Sequence, residues 1–178
     1  RVVAHVLDAL DITADEAAFI GDSVTDVRTA RAAGLRAWIV RHALRSAIKR
    51  GDAGALAVSG FGAKAEVSVR KAALTPQRVK TGGRVSIRFE LVNKLSRKQR
   101  VLADLRVHYQ KAGGKTAPKV FKLKTVELAA KAALRFEKKL SLADLTTRRH
   151  YPGKHRVEVL LNGRAVALGV FLLGKTTR

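Results

Sequence analysis

The sequence predicts a mainly β protein: a seven-stranded antiparallel immunoglobulin-like sandwich, preceded by a short helix-strand-helix-strand α/β fragment and a linking helix. Three observations predict it. From Ala65 onward apolar residues recur at every second position, the period of a half-buried strand. About seven such runs follow, near 65–74, 84–92, 100–110, 118–128, 132–142, 155–162 and 164–173. Turn signals separate them: Gly82-Gly83, Gly113-Gly114, Pro152-Gly153 and Asn162-Gly163, the last a strong two-residue hairpin signal. Short, half-polar strands at that spacing suit an antiparallel sandwich. The chain has no Cys, so the disulfide core of antibody domains has no counterpart and the likeness is architectural.

Before the strands, the period is helical. Val2 to Leu10 reads as a helix, Ala17–Ile20 as a short buried strand, and Thr25 to Ala33 as a second helix stopped by Gly34. Leu35–Val40 is a further apolar run, consistent with a parallel strand. His42 to Arg50 reads as the linking helix, with Ala43 and Ala47, and Leu44 and Ile48, spaced by four; Gly51-Asp52 closes it. A short Ala/Leu segment and Gly60-Phe61-Gly62 lead into the strands. In these, Val85, Ile87, Phe89 and Leu91 alternate with Ser86, Arg88 and Glu90, and Leu105, Val107 and Tyr109 with Arg106 and His108. Phe121 and Leu123, then Val157, Val159 and Leu161, repeat the pattern. The organisation expected is an α/β fragment at 1–40, a helical connector at 41–62, the sandwich at 63–174 and a tail at 175–178.

Of the 178 residues 47% are hydrophobic, enough for a sizeable core. The absence of Cys excludes disulfides and Cys-based zinc sites and fits a cytoplasmic location. No apolar run approaches a membrane span, and the start mixes acids into an amphipathic pattern unlike a signal peptide. The formal charge of +22 is placed unevenly. Residues 1–60 hold 8 Lys/Arg and 7 Asp/Glu, whereas residues 61–178 hold 28 and 7. Such asymmetry points to a polyanion, most often nucleic acid; the alternative is a basic surface that simply faces water.

The stretch Phe19-Ile20-Gly21-Asp22-Ser23-Val24-Thr25-Asp26 places two carboxylates at a strand end and the start of a helix. Asp22 and Asp26 could share a hard cation such as Mg²⁺. Equally, Ser23 or Thr25 could cap the helix, with Asp26 at its positive end. With Ala30, Arg31, Ala33 and Gly34, the stretch resembles the fourth motif of the haloacid dehalogenase-like hydrolases, over about 40 residues. In that family residues at the Asp22 and Asp26 positions help hold magnesium. The resemblance also requires an Asp-x-Asp nucleophile, which this sequence lacks, and a Lys some two dozen residues before Gly21. Without them there is no phospho-aspartyl step and no stabilising charge. The corner reads as a vestige, and magnesium is expected only were further sequence to complete the fragment; otherwise no cofactor is expected.

A second resemblance covers about residues 41–174. His42-Ala43-Leu44-Arg45, Lys49-Arg50-Gly51-Asp52, Val107-His108-Tyr109-Gln110-Lys111-Ala112, Pro118 to Lys124, Thr146 to His155 and Asn162-Gly163 look like the C-terminal region of bacterial DNA alkylation repair proteins, the alkylpurine DNA glycosylases built from HEAT-like repeats. The resemblance implies association with alkylated, double-stranded DNA but no catalysis by this chain, because the family's catalytic residues lie in upstream helical repeats. Asp52 and Trp38 do not replace them, and Trp38 suits packing.

Lys and Arg on a rigid sheet contact phosphates without reading sequence. Candidate contacts are Arg148, Arg149 and Lys154 in Thr146 to His155, with Arg88, Arg106, Lys122 and Lys124 on the polar strand faces; for each, a solvated charge is the competing reading. An aromatic share of 5% argues against a stacking platform for single strands. Tyr151-Pro152-Gly153 reads as a tight turn, and His150 and His155 lack partners at metal spacing. The function expected is an accessory DNA-associated module without activity of its own. The rivals are a phosphatase completed by other sequence and a sandwich that binds an acidic protein.

Overall fold

The computed structural model describes residues 2–17, 24–34, 44–144 and 149–174, the side chains of Val2 and of residues 24–27 excepted. The chain divides into two compact units, Arg1–Ala63 and Lys64–Arg178. Leaving Ala17 aside, the strands predicted at 17–20 and 35–40 lie outside the described residues, as does Trp38.

The first unit holds α1 (Val2–Leu10), α2 (Val24–Ala32), α3 (Arg45–Arg50) and α4 (Ala53–Val58). After α1, Glu16 accepts both the backbone N–H of Thr13 at 2.9 Å and its hydroxyl at 2.7 Å, while its own N–H donates to the Thr13 carbonyl at 3.1 Å, closing a turn. Gly51, at φ 78°, ends α3. Asp52 shares in that closure, as predicted, its N–H donating to the Ala47 carbonyl at 3.0 Å, and it also opens the next helix. Its carboxylate accepts the Ala55 N–H at 2.7 Å, which caps α4 over the Ala/Leu segment left unassigned by sequence pattern. Ala30, Leu44 and Ala55 form the small core of this unit.

The second unit is the sandwich. Its strands are β1 (Val67–Thr75), β2 (Arg78–Lys80), β3 (Arg84–Asn93), β4 (Gln99–Gln110), β5 (Thr116–Leu128), β6 (Ala133–Ser141), β7 (Gly153–Leu161) and β8 (Arg164–Gly174). One sheet has the order β1-β3-β6 and the other β2-β8-β7-β4-β5. The predicted alternation holds: Val85, Ile87, Phe89 and Leu91 of β3 meet Leu105, Val107 and Tyr109 of β4 and Val157, Val159 and Leu161 of β7 in one core. The Asn162-Gly163 signal forms the β7–β8 hairpin, with both residues at positive φ and Leu161 opposite Arg164.

One strand was not foreseen. To the seven antiparallel runs the structure adds β2, three residues long and parallel to β8, with Arg78 opposite Leu172 and Lys80 opposite Gly174. A three-residue strand is too short to show a period. Gly169 of β8, at φ +148°, leaves the space a Cβ would take 3.1 Å from Leu74 of β1, so the two sheets meet closely there. Among the described residues no helix is long and apolar enough to cross a membrane.

Candidate nucleic-acid interface

Antiparallel pairing turns the polar half of each strand into rows on the outer face of the five-stranded sheet. One row sets Pro118, His108, Arg156 and Val170 side by side, and the next sets Val120, Arg106, Glu158 and Ala167. A third sets Lys122 against Asp104 and Leu160. The register follows from bulges between Ala103 and Asp104 in the β4–β5 pairing and between Val157 and Glu158 in the β7–β8 pairing.

Glu158 is the hub of this face. Its Oε2 accepts the Arg106 Nε–H at 2.7 Å and lies 2.8 Å from His108 Nε2; its Oε1 lies 3.4 Å from Arg156 Nε. A hydrogen on His108 Nε2 donates to the carboxylate. Burial pushes the Glu158 carboxyl up, but the hydrogen bonds from His108 and Arg106 outweigh it and hold the group below the usual carboxylate range.

The other sheet carries a separate patch. Glu90 of β3 is buried and takes Arg135 Nε at 2.8 Å and Lys71 Nζ at 3.2 Å, and these cations hold its carboxyl low. Arg88 is exposed beside it, opposite Glu137, which accepts the Ser86 hydroxyl at 2.9 Å.

At least six of the seven carboxylates after residue 60 are spent locally. Glu66 faces Lys64 at 3.8 Å, Glu127 faces Lys98 at 2.9 Å, and Asp144 accepts the His150 N–H at 2.8 Å. Glu90, Glu137 and Glu158 are engaged as above. Against the 28 Lys/Arg of residues 61–178, this leaves a surface on which cations predominate.

The predicted contacts are not gathered into one site. Arg106 is bound to Glu158. Lys122 is exposed opposite Asp104, and Lys124 is exposed at the β5 bulge. Lys154 is exposed near the start of β7, and Arg149 is exposed in the segment before it. Arg88 lies on the other sheet. Arg148 lies outside the described residues, as do Asp22 and the side chain of Asp26, so the magnesium corner has no description here. Among the described residues no group of three His, Asp or Glu could hold a metal. Sequence pattern missed His108 as a partner of Glu158, fifty residues away. Its only signal was alternation on the same face as Arg106.

The two loop histidines belong to the core. His155 is fully buried, stacked on Phe171 with centroids 4.9 Å apart and edge-on to Tyr109 at 5.7 Å; His150 packs against Tyr109 at 5.2 Å. His155 Nε2 lies 3.1 Å from the Tyr151 carbonyl, while its Nδ1 is buried with no hydrogen-bond partner among the described residues. Burial lowers its pKa from 6.5, against the opposing pull of the Tyr151 carbonyl. The unfolded chain therefore binds the proton more readily than the fold. This contribution to stability is whole above pH 6.5 and lost as pH falls from there toward the folded value. The thermal midpoint is expected to fall between about pH 7 and 5. In His155→Phe that part of the slope should vanish; a variant with the wild-type slope would assign it elsewhere.

Comparison with known proteins gives three likenesses. Residues 68–175 match the family model described as the C-terminal Ig-like domain of the uncharacterised protein YhaZ, and residues 2–57 match a haloacid dehalogenase hydrolase-like model. The chain is 32% identical over 126 residues to the uncharacterised protein YhaZ of Bacillus subtilis (strain 168), covering 71% of this chain and 35% of that protein. Among solved structures it is similar to the Pseudomonas fluorescens alkylpurine DNA glycosylase AlkC bound to DNA containing an abasic site analog. That match has 43% identity and a TM-score of 0.73, and covers 78% of this chain and 38% of that one. A β-glucosidase from Listeria innocua, at 16% identity and a TM-score of 0.51 over 61% of this chain and 16% of that one, shares the fold alone. The chain thus spans little more than a third of the first two relatives.

Proposed function

The chain belongs to the family described as the C-terminal Ig-like domain of the uncharacterised protein YhaZ, and from that premise we propose that it is a DNA-associated accessory module of alkylation repair. Its sandwich holds the phosphate backbone of double-stranded DNA and performs no base excision itself. The reading rests on the likeness to a glycosylase solved on DNA, joined to a cationic surface most of whose carboxylates are engaged. Lys and Arg on strands are positioned by the sheet, so they contact phosphates at little cost in ordering. We assign residues 1–40 to a haloacid dehalogenase-like fragment, 41–62 to a connector, 63–174 to the module and 175–178 to a tail, in a cytoplasmic protein.

The test is a fluorescence-anisotropy titration of labelled duplex DNA with the full chain, repeated over a range of salt. With roughly four phosphates neutralised, affinity should fall about 100-fold between about 50 and 200 mM salt, with a linear log–log slope near about −3.6. Absence of binding at about 50 mM salt removes the proposal.

A further inference from the structure

We infer that one trough on the outer face of the five-stranded sheet, where β2, β8 and β7 meet, is the seat of a DNA phosphate. The inference rests on the duplex-binding reading above and names the place in the sandwich where it is realised.

Two adjoining concavities, of about 400 and about 560 Å³, share Arg78 and Leu172. The first adds Lys154 and Val170, and the second adds Lys80. Register explains the arrangement. Leu172 of β8 stands opposite Arg78 on one side and Lys154 on the other, so the two cations flank it in one cross-strand row. Their backbones are two strand spacings apart, about 10 Å, and both side chains are long enough to close on one anion from either side.

The chemistry of the lining separates this trough from the other cationic surfaces. No carboxylate lines it, and Arg78, Lys80 and Lys154 form no ion pair among the described residues. The cleft of about 470 Å³ on the three-stranded sheet has Glu90 and Glu137 in its wall, so an incoming phosphate there must compete with them. Arg106 and Arg156, nearer the middle of the five-stranded face, are already held by Glu158. The floor of the trough is aliphatic. Val170 is 46% exposed, and apolar floor of this kind supports cation stems while excluding water from one side of the charges. The backbone is tied as well: Leu172 donates its N–H to the Gln77 carbonyl at 2.7 Å, and the Thr81 hydroxyl reaches the Gly174 carbonyl at 3.5 Å. A fixed backbone with three uncommitted cations recognises a phosphodiester without reading bases.

The experiment compares the full wild-type chain with two double variants that remove the same charge. R78A/K154A empties the trough, and R84A/K139A removes two exposed cations from the other sheet. Each is titrated with labelled duplex DNA at several salt concentrations. R78A/K154A should lower affinity at low salt by roughly tenfold or more and flatten the salt slope by about 1.8, two contacts' worth. R84A/K139A should change both far less. In parallel, lysine acetylation of the wild type read by mass spectrometry should show Lys154 and Lys80 shielded by duplex DNA while Lys139 stays reactive. Equal losses in the two variants, or equal shielding, would overturn the trough while leaving duplex binding intact. A wild-type chain that binds no duplex at low salt sinks the wider reading first. Since all four substituted residues are exposed, matching thermal melts are expected; should one variant melt early, the wild-type shielding pattern still decides.

Discussion

Asn93→Ala is expected to lower the unfolding free energy by about 3–5 kcal/mol, the sum over several buried polar groups left unmade at about 1–3 kcal/mol each, some of them relieved by water. Asn93 is 1% exposed at the end of β3. Its amide nitrogen, with two hydrogens, lies 2.9 Å from the Arg97 carbonyl, 3.1 Å from that of Leu128 and 2.7 Å from that of Ala129. Its oxygen accepts the Leu95 N–H at 2.9 Å and a hydrogen bond from the Gln99 amide. One side chain therefore joins the β3–β4 connection to the end of β5, tying the two sheets together at one end of the sandwich. Guanidinium denaturation should show a lower midpoint at unchanged slope. Asn93→Asp keeps the acceptor but turns a negative charge on three carbonyls, and should cost at least as much. A loss below about 1 kcal/mol for the Ala variant would mean that water replaces the whole network.

Asn93 also shows what a one-dimensional pattern conveys and what it leaves out. Inward positions were readable, because a period of two needs only neighbours in the chain: Val85, Ile87, Leu91, Leu105, Val107, Val157 and Val159 are all fully buried. So was the Asn162-Gly163 hairpin, whose positive φ values are local chemistry. Asn93 fell just past the run predicted near 84–92 and gave no signal, since its partners come from other places in the sequence. His150 and His155 read as loop residues beside Pro152 and Gly153. Only the packing of Tyr109 and Phe171 against them makes them core. The cations were legible as residue types but not as free or engaged, because that depends on register. Arg106 meets Glu158 only once β4 and β7 are aligned, and the bulge beside Asp104 decides which β5 lysine stands opposite it. Arg78 and Lys80 gave no signal at all, since a strand as short as β2 exists only by virtue of β8.

Glu158→Gln should move stability and DNA affinity in opposite directions. The substitution keeps shape and removes the one charge that Arg106, His108 and Arg156 share. Breaking a buried ion pair costs about 3–5 kcal/mol, but the Arg106 side chain is 29% and that of Arg156 58% exposed, so both can turn to water; about 2–3 kcal/mol is expected. The pH dependence identifies the source. A carboxyl held below 4.5 in the fold contributes stability above 4.5 and loses it as pH falls through its lower folded value. The gap between wild type and variant should therefore be full at neutral pH and close in acid. Meanwhile the same loss leaves Arg106 and Arg156, in adjoining rows, without their counter-charge, on the face that also carries the β2–β8–β7 trough. Duplex affinity at low salt should rise, and the salt slope should steepen by about 1–2, as one or two of the released cations find phosphates. A destabilised variant whose duplex affinity stays level or falls would separate this ion cluster from nucleic-acid binding altogether. The network would then serve only to hold β4 against β7, and any DNA contact would have to lie beyond the reach of Arg106 and Arg156.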